Sequence, residues 1–147
     1  MSSPDGGGYD PGEASHAVLL ELRRTVERHP AVLQARGEPP AGFTGVHADL
    51  DPRVLGASTA NGTLTVRWYP GAKPDDPPEF AFHYGDDAGF DCGWHSEPNP
   101  HVEGWTHYQE RETADGGYTY ERISFANEHP VGILWEVLER LHDRLDT

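Results

Sequence analysis

A single cysteine, Cys92, stands in 147 residues. That excludes an intramolecular disulfide framework and fits a reducing compartment. No apolar run approaches the ~20 residues that a bilayer-spanning helix requires. Nor does the chain open with a basic segment followed by an apolar one, the pattern of a secretory leader. The expected location is therefore the cytoplasm. Internal repeats and heptads are absent too, which excludes solenoids and coiled coils. Lysine is nearly missing: Lys73 stands alone, and every other basic residue is arginine.

What is abundant is negative charge. Twenty-five carboxylates face eleven basic residues, a formal net charge of -14. In dilute buffer such a surface repels nucleic acid. The lysine-poor, acid-rich balance nevertheless resembles proteins of salt-loving archaea, and at molar salt the Debye length falls to about 3 Å. Local placement of Arg and His then decides what binds. The halophilic reading is preferred here to that of an acidic mesophilic protein that avoids polyanions.

Residues 1–12 are polar and Gly-rich and are expected to form a disordered tail before one domain over 13–147. Ala14, Val18, Leu19, Leu22 and Val26 repeat at helical spacing and predict a helix over 13–29, stopped by His29-Pro30. Ile133, Leu134, Val137, Leu138, Leu141 and Leu145 predict a second over 130–145, with Pro130 in its first turn. Between them the period changes to two. Thr63–Tyr69 alternates, and Asn61-Gly62 suggests a hairpin turn with 53–59 as the antiparallel partner. Glu79–Tyr84 reads as another strand. Residues 85–100 read as a long irregular loop, a length that usually signals function or disorder. Residues 104–112 and 117–125 read as a second hairpin.

The expected architecture is a two-layer α+β fold, an antiparallel β-meander with both helices on one face. Leu64, Val66, Trp68, Phe80, Phe82, Tyr108, Ile123 and Phe125 would face the helices. The uncovered face would carry Arg67, Tyr69, His83, Trp105, His107, Tyr118, Tyr120 and Arg122, with almost no carboxylates.

Three readings fit the His- and Trp-rich centre of the chain. The first is metal-independent cleavage of RNA, with the ribose 2′-hydroxyl as nucleophile and no cofactor. It needs a base, an acid and cations beside the phosphorus, and two imidazoles suit the proton transfers. His83 and His107 form the expected pair, with His95 and His101 as auxiliary or alternative members. Arg67 and Arg122 would steady phosphate, while Trp94, Trp105, Tyr69 and Tyr120 offer planes for unpaired bases. The second is a zinc site drawing on Cys92, His95, His101 and His107, with Asp91 and Glu103 nearby, although the spacing matches no established zinc pattern. The third has no chemistry: the segment from Trp94 to Trp105 is an interface patch or a lid.

The stretches Phe80-Ala-Phe-His-Tyr84, Asp91-Cys-Gly-Trp-His95 and Asn99-Pro-His-Val-Glu-Gly-Trp-Thr-His107 resemble the His-rich centre of TumE-like toxins. The resemblance spans residues 54–145. It implies a small α+β toxin with RNA-directed activity, neutralised by a helix-turn-helix antitoxin. Asp91 and His95 correspond to that family's Asp- and His-bearing turn, and His101 and His107 to its later histidines. The family's Pro-His-x-His element is stretched here by Val-Glu-Gly-Trp-Thr.

Overall fold

The computed structural model describes residues 8–97 and 104–147. It is a two-layer α+β fold in which seven strands form one antiparallel sheet in chain order. The elements are α1 (Pro11–Val26), β1 (Val32–Glu38), β2 (Gly45–Leu50), β3 (Gly62–Tyr69), β4 (Glu79–Asp86), β5 (Asp91–Ser96), β6 (Thr106–Arg111), β7 (Thr119–Arg122) and α2 (Pro130–Leu145). Among the described residues no helix is long and apolar enough to cross a membrane.

Helix α1 begins earlier than its apolar stripe predicts. Asp10 accepts hydrogen bonds from the backbone N–H of Gly12 (2.9 Å) and Glu13 (3.3 Å), and Pro11 fills the first turn. This cap draws part of the expected tail into the fold, and the Tyr9 hydroxyl donates to the Gly71 carbonyl at 3.0 Å. The remainder of that tail, residues 1–7, lies outside the described residues. Helix α2 runs as its stripe requires, and Ile133, Leu134, Val137, Leu138 and Leu141 are all buried. Both helices cover the sheet face that carries Leu64, Val66, Trp68, Phe80, Phe82 and Tyr84. Trp68 and Phe80 stack at its centre, 4.8 Å apart and 4° from parallel.

Two expectations about the strands are corrected. The partner of β3 is β2, with Ala48 opposite Leu64 and Val46 opposite Val66. The segment assigned that role holds instead a 3₁₀ turn, Pro52–Leu55, capped by Asp51. Asn61-Gly62 makes no type I′ turn, because that turn needs positive φ at both central residues and neither has it. Gly62 opens β3 instead. A Cβ there would sit 2.8 Å from Pro52 and 3.0 Å from the Tyr84 ring.

The expected irregular loop after residue 85 contains β5. A tight turn ending at Gly89 (φ +89°) sends the chain straight back along β4. Tyr84 then faces Cys92, Phe82 faces Trp94, and Trp94 faces Tyr108. This strand sits at the middle of the candidate site.

Candidate functional site

Side chains on a strand alternate between faces, so β5 sorts its residues cleanly. Cys92 and Trp94 turn toward the helices and are buried at 0% and 2% exposure. Asp91, Gly93 and His95 turn to the uncovered face. There they meet His83 of β4, opposite Gly93, and His107 of β6, opposite His95. Three of the four candidate histidines thus come together: ring centroids lie 5.8 Å apart for His83 and His95, and 5.1 Å for His95 and His107. His101 lies outside the described residues, as does Glu103.

A row of four groups crosses this face. The Nε2 of His83 lies 3.0 Å from Asp91 Oδ1, and the Nδ1 of His95 lies 3.1 Å from Glu97 Oε1. Each carboxylate fixes the proton of the ring it faces, so the other ring nitrogen presents a lone pair. Those two nitrogens, His83 Nδ1 and His95 Nε2, converge above Gly93. A Cβ on Gly93 would lie only 2.5 Å from the first and 2.6 Å from the second. Only glycine admits both rings here. The Nε2 of His95 is buried and has no hydrogen-bond partner among the described residues.

Asp91 is held from three sides. Besides His83 it accepts hydrogen bonds from the Tyr118 hydroxyl and from Arg111 Nε, both at 2.5 Å. Burial opposes its charge, but these hydrogen bonds and the charges of His83 and Arg111 hold the carboxyl below its ordinary range. Burial, and then the bond to Asp91, push the Tyr118 hydroxyl up to about 12. The imidazoles move the other way. Burial lowers the proton affinity of His83 despite Asp91, and Arg111 and Arg67 add to the effect. Burial likewise lowers that of His95 against the pull of Glu97, with His107 and His83 reinforcing it. Both rings are therefore chiefly neutral at pH 7.

The remaining candidates divide. Arg67, Tyr69 and Arg122 are exposed, on the same face as the histidines by their pairing. The Arg122 guanidinium packs over Gly104, next to Trp105, which is 40% exposed. Tyr120 is half-buried, its ring 6.1 Å from that of His107. A cavity of about 590 Å³ opens where the sheet meets α1, lined by Ser15, His16, Phe43, Trp68 and Phe80 as well as by Arg67, Tyr69, Glu79 and Glu97, and it includes none of His83, His95 and His107.

Three expectations are corrected. Trp94 is no stacking plane, since its place beside His95 in the chain puts it on the opposite, helix-covered face, against Tyr108. His107 is only 1% exposed, its Nε2 3.1 Å from Gln109 Oε1, so it supports the ring of His95 rather than facing solvent beside His83. The uncovered face is not free of strand carboxylates, because Asp91 sits at its centre. The zinc reading loses Cys92, which points away from His95, its thiol pushed up to about 12 by burial. Among the described residues no set of three or more His, Cys, Asp or Glu side chains is arranged to hold a metal.

Gly93, Glu97 and Arg111 were not visible as site residues in the sequence. The signal was there in Asp91-x-Gly93-x-His95-x-Glu97, a period of two that has meaning only once the segment is known to be a strand. No family model, curated protein or solved structure matches this chain.

Proposed function

We propose that this protein is a toxin-like, metal-independent endoribonuclease acting by histidine acid–base chemistry. The observation that carries the reading is the row Asp91–His83, His95–Glu97, in which two carboxylate-anchored imidazoles bring their second nitrogens within 2.5 and 2.6 Å of the place a Cβ on Gly93 would take. Proton transfer between bound groups needs such an arrangement, with pKa values low enough for a neutral base at working pH.

In this reading His83, whose side chain is 30% exposed, is the base. Its Nδ1 takes the proton of a ribose 2′-hydroxyl. The 2′-oxygen forms a bond to phosphorus and the bond to the 5′-oxygen breaks, leaving a 2′,3′-cyclic phosphate. His95, in the fraction of molecules where it carries a proton, gives that proton to the departing 5′-oxygen. Asp91 steadies the imidazolium formed on His83, as carboxylates do for catalytic histidines. Arg67 and Arg122 attract phosphate, and Trp105, Tyr69 and Tyr120 offer faces to unpaired bases. The acidic remainder of the surface repels RNA in dilute buffer; molar salt screens that repulsion together with long-range attraction, leaving close contacts by Arg and the rings to hold the strand. A helix-turn-helix antitoxin is the proposed protein partner.

The test is purified protein with end-labelled RNA in dilute buffer and in molar KCl, with and without EDTA. Cleavage that survives EDTA and yields cyclic phosphate ends supports the reading. An intact substrate at every salt concentration removes it. A non-enzymatic interaction domain is the second reading, favoured by the exposed rings of Tyr69 and Trp105 at 43% and 40%. It would show as antitoxin binding that is abolished by Trp105→Ala and untouched by His83→Ala.

A further inference from the structure

We propose that His83 Nδ1 and His95 Nε2 form a two-imidazole binding site for a late first-row divalent metal ion, Cu²⁺ above all. The site is built from the residues outward. Each ring gives its second nitrogen to a carboxylate, Asp91 for His83 and Glu97 for His95. This carboxylate–imidazole arrangement fixes tautomer and ring orientation and raises the basicity of the nitrogen left over. The two remaining nitrogens are no farther apart than the 2.5 Å and 2.6 Å that separate them from a Cβ on Gly93, laid end to end. Metal–imidazole bonds of about 2.0–2.1 Å require the bridged nitrogens to be roughly 3–4 Å apart, which lies within that limit.

An independent observation also points to a ligand. His95 is 8% exposed, and its Nε2 is buried without a hydrogen-bond partner among the described residues. A buried polar atom left so is unfavourable, and an ion would satisfy it. Entry is from the side of His83, whose side chain is 30% exposed. Two neutral nitrogens with water in the remaining positions suit a tetragonal copper ion. Imidazole donors in the Irving–Williams order rank Cu²⁺ above Ni²⁺ and Zn²⁺, and Mg²⁺ and Ca²⁺ prefer oxygen.

The inference does not require the protein to cleave RNA. Where it does, the bound ion takes the lone pairs that move protons, so Cu²⁺ is an inhibitor and not a cofactor.

The experiment titrates the full chain with Cu²⁺ in excess Mg²⁺, which occupies surface carboxylates, and follows it by calorimetry and electron paramagnetic resonance. One tight equivalent is expected, with hyperfine structure from two imidazole nitrogens. His83→Ala and His95→Ala should each weaken it at least tenfold. Gly93→Ala should do the same by filling the space, and Glu97→Gln should weaken it by about tenfold through loss of the carboxylate partner. Cys92→Ser should leave it intact, because that thiol lies on the other face. Circular dichroism of each variant confirms that it is folded, and half-exposed His83 is the safest substitution should Gly93→Ala fail to fold. A tight equivalent that persists in His83→Ala, or a spectrum with oxygen ligands only, overturns the proposal. Copper binding without RNA cleavage would remove the enzymatic reading alone, and cleavage without copper binding would remove this one alone.

Discussion

Two clusters on opposite sides of the sheet are built from nearly the same parts. On the helix side, Glu110 of β6 accepts hydrogen bonds from the Tyr108 hydroxyl (2.7 Å) and from Arg144 of α2 (2.9 and 3.1 Å). Arg144 also lies over the Phe90 ring, 4.6 Å from its centroid. On the uncovered side, Asp91 accepts from Tyr118 and Arg111, and Arg111 lies over the Tyr118 ring at 4.8 Å. A carboxylate, a tyrosine, an arginine and an aromatic face recur in both. The difference is one imidazole. Nothing in the Glu110 cluster titrates near neutral pH, so it can only fasten α2 to the sheet. In the Asp91 cluster His83 adds a base that is chiefly neutral at pH 7, and His95 beyond it adds a second. The shared parts make a latch, and the histidines turn one copy of it into a candidate site.

The comparison breaks most sharply at His83. Under the proposed function, His83→Ala should lower RNA cleavage by about 10²–10⁴-fold, the usual contribution of a positioned base, while leaving the melting temperature nearly unchanged. Arg144→Ala should do the reverse. It strips a half-buried Glu110 of its charged partner, which costs on the order of 2 kcal/mol and lowers the melting temperature by roughly 6 °C. Cleavage measured below the melting transition should be unaffected. If Arg144→Ala lost activity in proportion to His83→Ala, the two clusters would not be separable and the division of labour drawn here would fail.

How much of this was legible depends on the strand. The alternation of Leu64, Val66 and Trp68, and of Phe80, Phe82 and Tyr84, was plain in the sequence, and it put His83 on the uncovered face. The helices were plain from their stripes. Strand β2 alternates too, in Val46, Ala48 and Leu50, but Asn61-Gly62 diverted the pairing toward 53–59. The strongest loss was at β5. Asp91-Cys-Gly-Trp-His-Ser96 is buried on both faces, so polarity does not mark its sides and no β-branched residue marks it as a strand. Without that strand, Trp94 and His95 looked like neighbours on one loop, and Cys92 looked like a ligand mate for His95. Gly93 looked like punctuation, although it is the space on which the two rings depend. A period of two cannot be read where both halves of it are buried.

The smallest expected effect sharpens the same contrast through pH. Groups whose proton affinity is depressed on folding stabilise the fold above their unfolded pKa, and that contribution is lost as pH falls through the folded pKa. For Glu110, which Arg144 holds below its ordinary range chiefly by hydrogen bonding, the loss begins only under the unfolded carboxylate pKa, near 4.3 on the usual scale. For His83 and His95 the unfolded pKa is about 6.5. Below it the unfolded chain takes up protons that the buried rings resist, so stability declines while every carboxylate latch is still intact. Thermal melts from pH 7.5 to pH 3 should therefore show two descents, the first beginning near pH 6.5 and the second in the carboxylate range. His83→Ala should shrink the first, with His95 and His29 supplying what remains, while Arg144→Ala should reduce the second and leave the first. A first descent of unchanged size in the double variant His83→Ala, His95→Ala would assign it to other histidines and remove the uncovered face as the source of the difference.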